Sequence, residues 1–114
     1  MNEKDPLIFL EHILESIQNI ENFSKGLSEK SFMNDELRQS AIVRQIEIIG
    51  EAVKNLPDSL KNKYANVSWK EIVGTRDKMV HHYFGVDLDI VWDIVKKNLP
   101  RLKKDIKDIL DKEK

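Results

Sequence analysis

The sequence predicts an all-α domain: a four- to five-helix up-and-down bundle. Three observations predict it. Apolar residues recur at alternating three- and four-residue steps through the long segments, the period of one helix face. Aromatics are only 7% of the chain while Ile, Leu, Glu and Lys abound, a composition that favours helix over sheet. No segment reads as a strand, an internal repeat or an interdomain linker. The 114 residues suit one domain, so residues 1–114 are taken as a single unit.

The first helix should start at Asp5-Pro6. Asp is a good N-cap, and Pro at the first helical position loses no needed N–H. Leu10, Ile13, Leu14, Ile17 and Ile20 mark its apolar face, and Gly26 is a natural stop. Residues 27–34 read as a connector with a short turn around Phe32. The second helix opens at Asn34 or Asp35 and carries Ile42, Ile46, Ile49, Val53 and Leu56 as its stripe. Pro57 ends it, because proline disfavours helical geometry in the residue before it. Asp58 is placed to cap a short helix to about Tyr64. Ser68-Trp69-Lys70-Glu71 matches a capping box, with Ser68 accepting the Glu71 N–H. The helix that follows is expected to run towards Tyr83 and stop near Gly85, with Gly74 allowing a kink or a restart at Thr75. Asp87 caps the last helix. Its stripe of Leu88, Trp92, Val95, Leu99, Leu102, Ile106 and Ile109 crosses Pro100, which predicts one helix with a kink there. Four long helical segments with short connections make a bundle.

Bulk properties exclude several classes. At 40% hydrophobic and 34% charged, the chain can bury a core and still dissolve. It has no cysteine, hence no disulfide framework and no thiolate metal site. No apolar run is long enough for a membrane span, and Met1-Asn2-Glu3-Lys4-Asp5 is too charged to open a signal peptide. The expected location is the cytoplasm. A net charge of −1 gives no global attraction to nucleic acid. From Lys96 onward, however, 8 basic residues stand against 4 acidic ones. A solvated helix face is the plainer reading of that run, and a phosphate-attracting patch the alternative.

The chemistry-bearing stretch is Arg76-Asp77-Lys78-Met79-Val80-His81-His82-Tyr83. His81 can titrate near neutral pH and exchange protons with a ribose hydroxyl or a leaving oxygen. Arg76 keeps its charge and its fork matches phosphate oxygens. Asp77 stands four residues before His81 and could orient the imidazole, or pair with Lys78 or Arg76. Tyr83 offers a hydroxyl to phosphate and a ring for a base. If the helix continued, His81 would sit about 140° around from Arg76 and Tyr83 almost above it, at 100° per residue. One helix would not aim Arg76 and His81 at one atom, but two copies facing across a dimer axis could. Arg44, Glu47 and Glu51 share an arc opposite the isoleucine stripe of the second helix. They are read as solvated, or as the border of a partner surface or site. His12 reads as a helix flank and His82 as exposed, while Trp69 and Trp92 read as core anchors. The stretch shows no zinc spacing with a third partner, and the chain has no Gly-rich phosphate loop and no nucleophile elbow, so no metal and no cofactor is expected.

These segments resemble the HepT-like group of the HEPN superfamily over nearly the whole chain. The markers are Ile48-Ile49-Gly50-Glu51-Ala52, then Val67-Ser68-Trp69-Lys70-Glu71-Ile72-Val73-Gly74-Thr75-Arg76-Asp77, then Val80-His81-His82-Tyr83. Val91-Trp92 and Leu99-Pro100-Arg101-Leu102 complete the pattern. The Arg-x4-His-x-Tyr element falls on Arg76, His81 and Tyr83. The resemblance implies a homodimer with both Arg/His motifs lining a shared cleft. It implies a metal-independent endoribonuclease, the toxin of a toxin–antitoxin pair, with Arg76 and His81 in the catalytic positions. It also implies a minimal nucleotidyltransferase as antitoxin, adding AMP to Tyr83. Many relatives carry Asn after the Arg; this chain carries Asp77, whose charge opposes a nearby phosphate. The residues and the resemblance together leave three readings open: the RNase, a non-enzymatic partner and adenylylation substrate of a nucleotidyltransferase, and a purely structural dimer with an interfacial ion network.

Overall fold

The computed structural model describes residues 5–81 and 85–114, the side chains of Val80 and His81 excepted. Its first helix, α1 (Pro6–Ser24), begins as the sequence dictates: the Asp5 carboxylate accepts the Leu7 N–H at 2.9 Å. Past its end the chain turns at Gly26, whose φ of +79° is the left-handed region open to glycine. The connector contains a short helix, α2 (Glu29–Met33). It carries a capping box: Ser28 Oγ accepts the Ser31 N–H at 3.1 Å, and Ser31 Oγ accepts the Ser28 N–H at 2.8 Å. Helix α3 (Glu36–Lys54) opens on Asp35, which takes both the backbone N–H and the guanidinium of Arg38. Those two donors hold the Asp35 carboxyl below its ordinary pKa.

Helix α4 (Asp58–Lys63) starts one residue earlier in its capping scheme than expected. Pro57 stands at the cap, and Asp58 is the first helical residue. Helix α5 (Trp69–Met79) runs unbroken through Gly74. The capping box expected at Ser68 is not formed among the described residues; the Ser68 carbonyl instead accepts the Ile72 N–H at 3.2 Å.

The larger correction is at the other end of α5. The helix does not reach Tyr83. It stops at Met79 and the chain becomes extended: β1 (Val80–His81) pairs antiparallel with β2 (Gly85–Val86), Val80 opposite Val86 and His81 opposite Gly85. Two physical causes act together. Val80-His81-His82-Tyr83-Phe84 is a β-branched and aromatic run of weak helix preference. The Met79 carbonyl is taken by the Asp87 N–H at 2.6 Å, and Gly85 supplies a φ of +88°.

Helix α6 (Leu88–Asp93) is capped by Asp87, whose carboxylate accepts the Asp89 and Ile90 N–H groups. It passes through a π-helical turn (Ile94–Asn98) into α7 (Leu99–Glu113). The irregularity expected at Pro100 is this widened turn, in which the Leu99 N–H reaches back to the Ile94 carbonyl. Pro100 has no N–H for the Lys96 carbonyl and its ring would crowd that oxygen; widening the turn relieves the clash. The widening also shifts the helix phase. From Val95 onward, Val95, Leu99, Leu102, Ile106 and Ile109 are buried as the stripe requires. Upstream, Val91 and Ile94 take the core positions and Leu88 and Trp92 are only half-buried.

In the core, α1 packs on α3 and α7, and α3 packs on α5. Leu10, Ile13, Ile17 and Ile20 meet Ile42, Ile46, Ile49 and Val53, all buried. Each fully buried aliphatic of this size contributes about 1.5–3 kcal/mol. Phe32 of α2 is fully buried and its ring sits 5.3 Å from that of Trp92. Lys103 binds both carboxylate oxygens of Glu21 at 3.0 Å, tying α7 to α1. No described helix is long and apolar enough to cross a membrane.

Candidate functional site

Helix α5 presents the site, and two features fix its height and rotation. At its start Trp69 is buried, and its indole N–H is shared between the Lys61 carbonyl at 3.1 Å and the Tyr64 carbonyl at 3.0 Å. In its middle it lies close to α3 at Gly50, where a Cβ would already be in van der Waals contact with the Ile72 and Val73 carbonyls, 3.7 and 3.9 Å away. A long side chain at residue 50 would push the helices apart.

Two turns after Trp69, this packing delivers Arg76 to the surface beside α3. The Arg76 Nε–H donates to Glu47 Oε2 at 3.1 Å, while the guanidinium side chain remains 68% exposed. The other carboxylate oxygen of Glu47 lies 3.8 Å from Arg44 Nη1. Two arginines from two helices therefore flank one carboxylate. Glu51, one turn further along α3, is exposed, as is Asp77 beside Arg76. Of the arc read from the sequence as a border, Glu47 and Arg44 adjoin Arg76.

His81 is in β1, its backbone opposite Gly85. Its side chain lies outside the described residues, and so does the whole of Tyr83. Since α5 ends at Met79 and His81 lies in β1, the helical angle expected for His81 and the i to i+4 stacking of Asp77 on it do not apply. His82 also lies outside the described residues. His12 is exposed on α1, as a helix flank should be. Trp69 is the core anchor expected of it. Trp92 is only half so: it is half-buried, with Lys96 Nζ 4.8 Å above its ring. Among the described residues no group of three or more His, Asp or Glu is placed to hold a metal ion.

A groove of about 400 Å³ lies between α3, α5 and the α6–α7 junction. Ile46, Ile49, Ile72 and Leu102 line its apolar part, and Lys78, Lys97 and Arg101 are among its charged groups. Arg76 does not line it, so this groove and the exposed Arg76 are separate features. At the end of α7, Glu113 accepts from Lys63 Nζ at 2.7 Å and from the Tyr64 hydroxyl. The Lys63 and Tyr64 donors hold the Glu113 carboxyl below its ordinary pKa, and the same carboxylate pushes Lys63 and Tyr64 up.

The all-α architecture is that of a HEPN-like helical bundle. The family pattern described as ribonuclease HepT-like matches residues 13–109, and the chain belongs to that family. A protein of Caldanaerobacter subterraneus subsp. tengcongensis named "Putative RNase" is 48% identical over 97% of this chain and 99% of its own length. A protein of Methanocaldococcus jannaschii named "Gamma-glutamylcyclotransferase and putative RNase" is 48% identical over 95% of this chain, which spans 49% of it. A third, "Probable ribonuclease HepT" of Thermococcus cleftensis, is 42% identical over 83% of this chain and 86% of its own length. No solved structure matches significantly.

Proposed function

We propose that the chain is a metal-independent endoribonuclease, the toxin of a toxin–antitoxin pair, working as a homodimer in the cytoplasm. The observation that carries this reading is Arg76: a permanently charged guanidinium held at the surface of α5, five residues before His81, in a chain of the HepT-like family. In the reaction, the ribose 2′-oxygen loses its proton and attacks the adjacent phosphorus. The bond to the 5′-oxygen breaks, that oxygen takes up a proton, and a 2′,3′-cyclic phosphate remains. Arg76 stabilises the charge that builds on the non-bridging oxygens. His81 takes the first proton or supplies the second. Asp77 and Tyr83 are supporting groups, and Arg44, Glu47 and Glu51 border the cleft. The facing protomer supplies the second Arg/His pair.

Tyr83 is also the proposed AMP acceptor for a minimal nucleotidyltransferase antitoxin. The net charge of −1, unhelpful to a free RNA-binding enzyme, favours the second reading, in which being modified is the chain's whole role.

One set of measurements decides. The wild type, Arg76→Ala and His81→Ala are incubated with RNA in EDTA, and the wild type is co-expressed with the neighbouring nucleotidyltransferase for intact-mass spectrometry. The nuclease reading expects wild-type cleavage in EDTA with cyclic phosphate ends, and its loss in both variants. Cleavage at the wild-type rate by both variants refutes the site. An inactive wild type that gains the mass of AMP on Tyr83 leaves the non-enzymatic reading; no gain removes the AMP-acceptor proposal.

A further inference from the structure

Arg76 reaches the surface already held, and how it is held has a consequence. A guanidinium has two hydrogen-bonding edges: a side edge that includes Nε, and an end edge made of Nη1 and Nη2. Glu47 takes the Nε–H, at 3.1 Å, so it grips the side edge. Among the described residues no protein group accepts from Nη1 or Nη2. The end edge, whose paired N–H groups match two phosphate oxygens, is left for a ligand. Glu47 is itself fixed. Its side chain is 26% exposed on the well-packed α3, and its other oxygen faces Arg44 Nη1 at 3.8 Å. Unheld, the long arginine side chain would sample many rotamers, and ordering it would fall to the moment of binding.

We propose that Glu47 is a positioning residue for the reaction, holding Arg76 by Nε so that its end edge meets the scissile phosphate. The inference rests on the reading of Arg76 as the phosphate-binding group.

The test uses the full chain and a short RNA substrate, with Glu47→Ala, Glu47→Gln and Arg76→Ala singly, and Glu47→Ala combined with Arg76→Ala. Loss of positioning should lower kcat roughly 10- to 100-fold in Glu47→Ala with KM within about twofold. Glu47→Gln, whose amide oxygen can still accept the Nε–H, should recover a large part of that loss. In the Arg76→Ala background, removing Glu47 should cost nothing further, since the two act as one unit. The Arg76 Nε–H signal in a ¹⁵N NMR spectrum should shift in Glu47→Ala, while melting changes little, as expected of an exposed pair. An active wild type with an unmoved Nε–H signal overturns this inference alone. So does Glu47→Ala costing the same factor with or without Arg76, or costing nothing in the wild type. A wild type that cuts no RNA overturns the nuclease reading, and this inference with it.

Discussion

Replacing Trp69 by Phe should cost far more than the same change at Trp92, although both are tryptophans on helices. Trp69 is 8% exposed and its indole N–H serves two carbonyls. One of them, Tyr64 O, also accepts the Val67 N–H at 3.1 Å and so keeps a partner when the indole is lost. The other, Lys61 O, is in a part-buried bond and can turn to water, so the hydrogen-bond part of the loss is about 1 kcal/mol rather than the full cost of an orphaned acceptor. The volume removed from a packed site adds about 1–2 kcal/mol. The total, about 2–3 kcal/mol, corresponds to roughly 8–15 °C in melting midpoint for a domain near this size. At Trp92 a phenyl ring preserves the pairing with Phe32 and the site is already half open, so the loss should stay at or below about 1 kcal/mol. Urea unfolding followed by circular dichroism measures both, and an unchanged slope would confirm that only stability moved. Equal midpoints for the two variants would refute the hydrogen-bond and burial accounting. Because Trp69 is the first residue of α5, its loss should also lower RNA cleavage by loosening the helix that carries Arg76.

Glu113 should make stability depend on pH at the acid end. Its carboxyl is held below the ordinary value of 4.5, first by Lys63 and then by Tyr64, so its contribution is present above that value and fades as pH falls through the lowered one. Tyr64 and Lys63 are raised, so their share persists below about pH 10 and is lost only as pH climbs past their folded values. Melting curves of wild type and Glu113→Gln should differ most between about pH 5 and 10 and converge outside that window; a constant difference down to strong acid would contradict the clasp. Glycines 74 and 85 should respond to alanine with opposite signs, since a Cβ meets nothing within 4 Å at either. Gly74→Ala, inside α5, should stabilise by up to about 1 kcal/mol, and Gly85→Ala, at φ +88°, should destabilise by about 1–2 kcal/mol. Thermal melts read both, and two changes of the same sign would refute the backbone argument.

The sequence by itself determined the bundle and most of its helix ends, because those depend on interactions within a few residues. Asp5, Asp35 and Asp87 each cap the helix that follows, and Gly26 turns the chain where a left-handed residue was needed. The stripes of α1 and α3 are buried almost as read, since a 3.6-residue period survives any arrangement that covers one face. It also singled out Arg76, His81 and Tyr83 as candidates through the motif. What it did not carry was anything that depends on a hydrogen bond reaching outside its own segment. The Asp87 N–H captures the Met79 carbonyl and ends α5, turning Val80–His81 into a strand where periodicity extended the helix. The π turn before Pro100 shifts the phase of α6, so Val91 and Ile94 replace Leu88 and Trp92 in the core. Glu47, 29 positions from Arg76, becomes its partner only because α3 and α5 pack closely at Gly50. Local sequence sets propensity and period; which distant donor meets which acceptor is settled only when the helices dock.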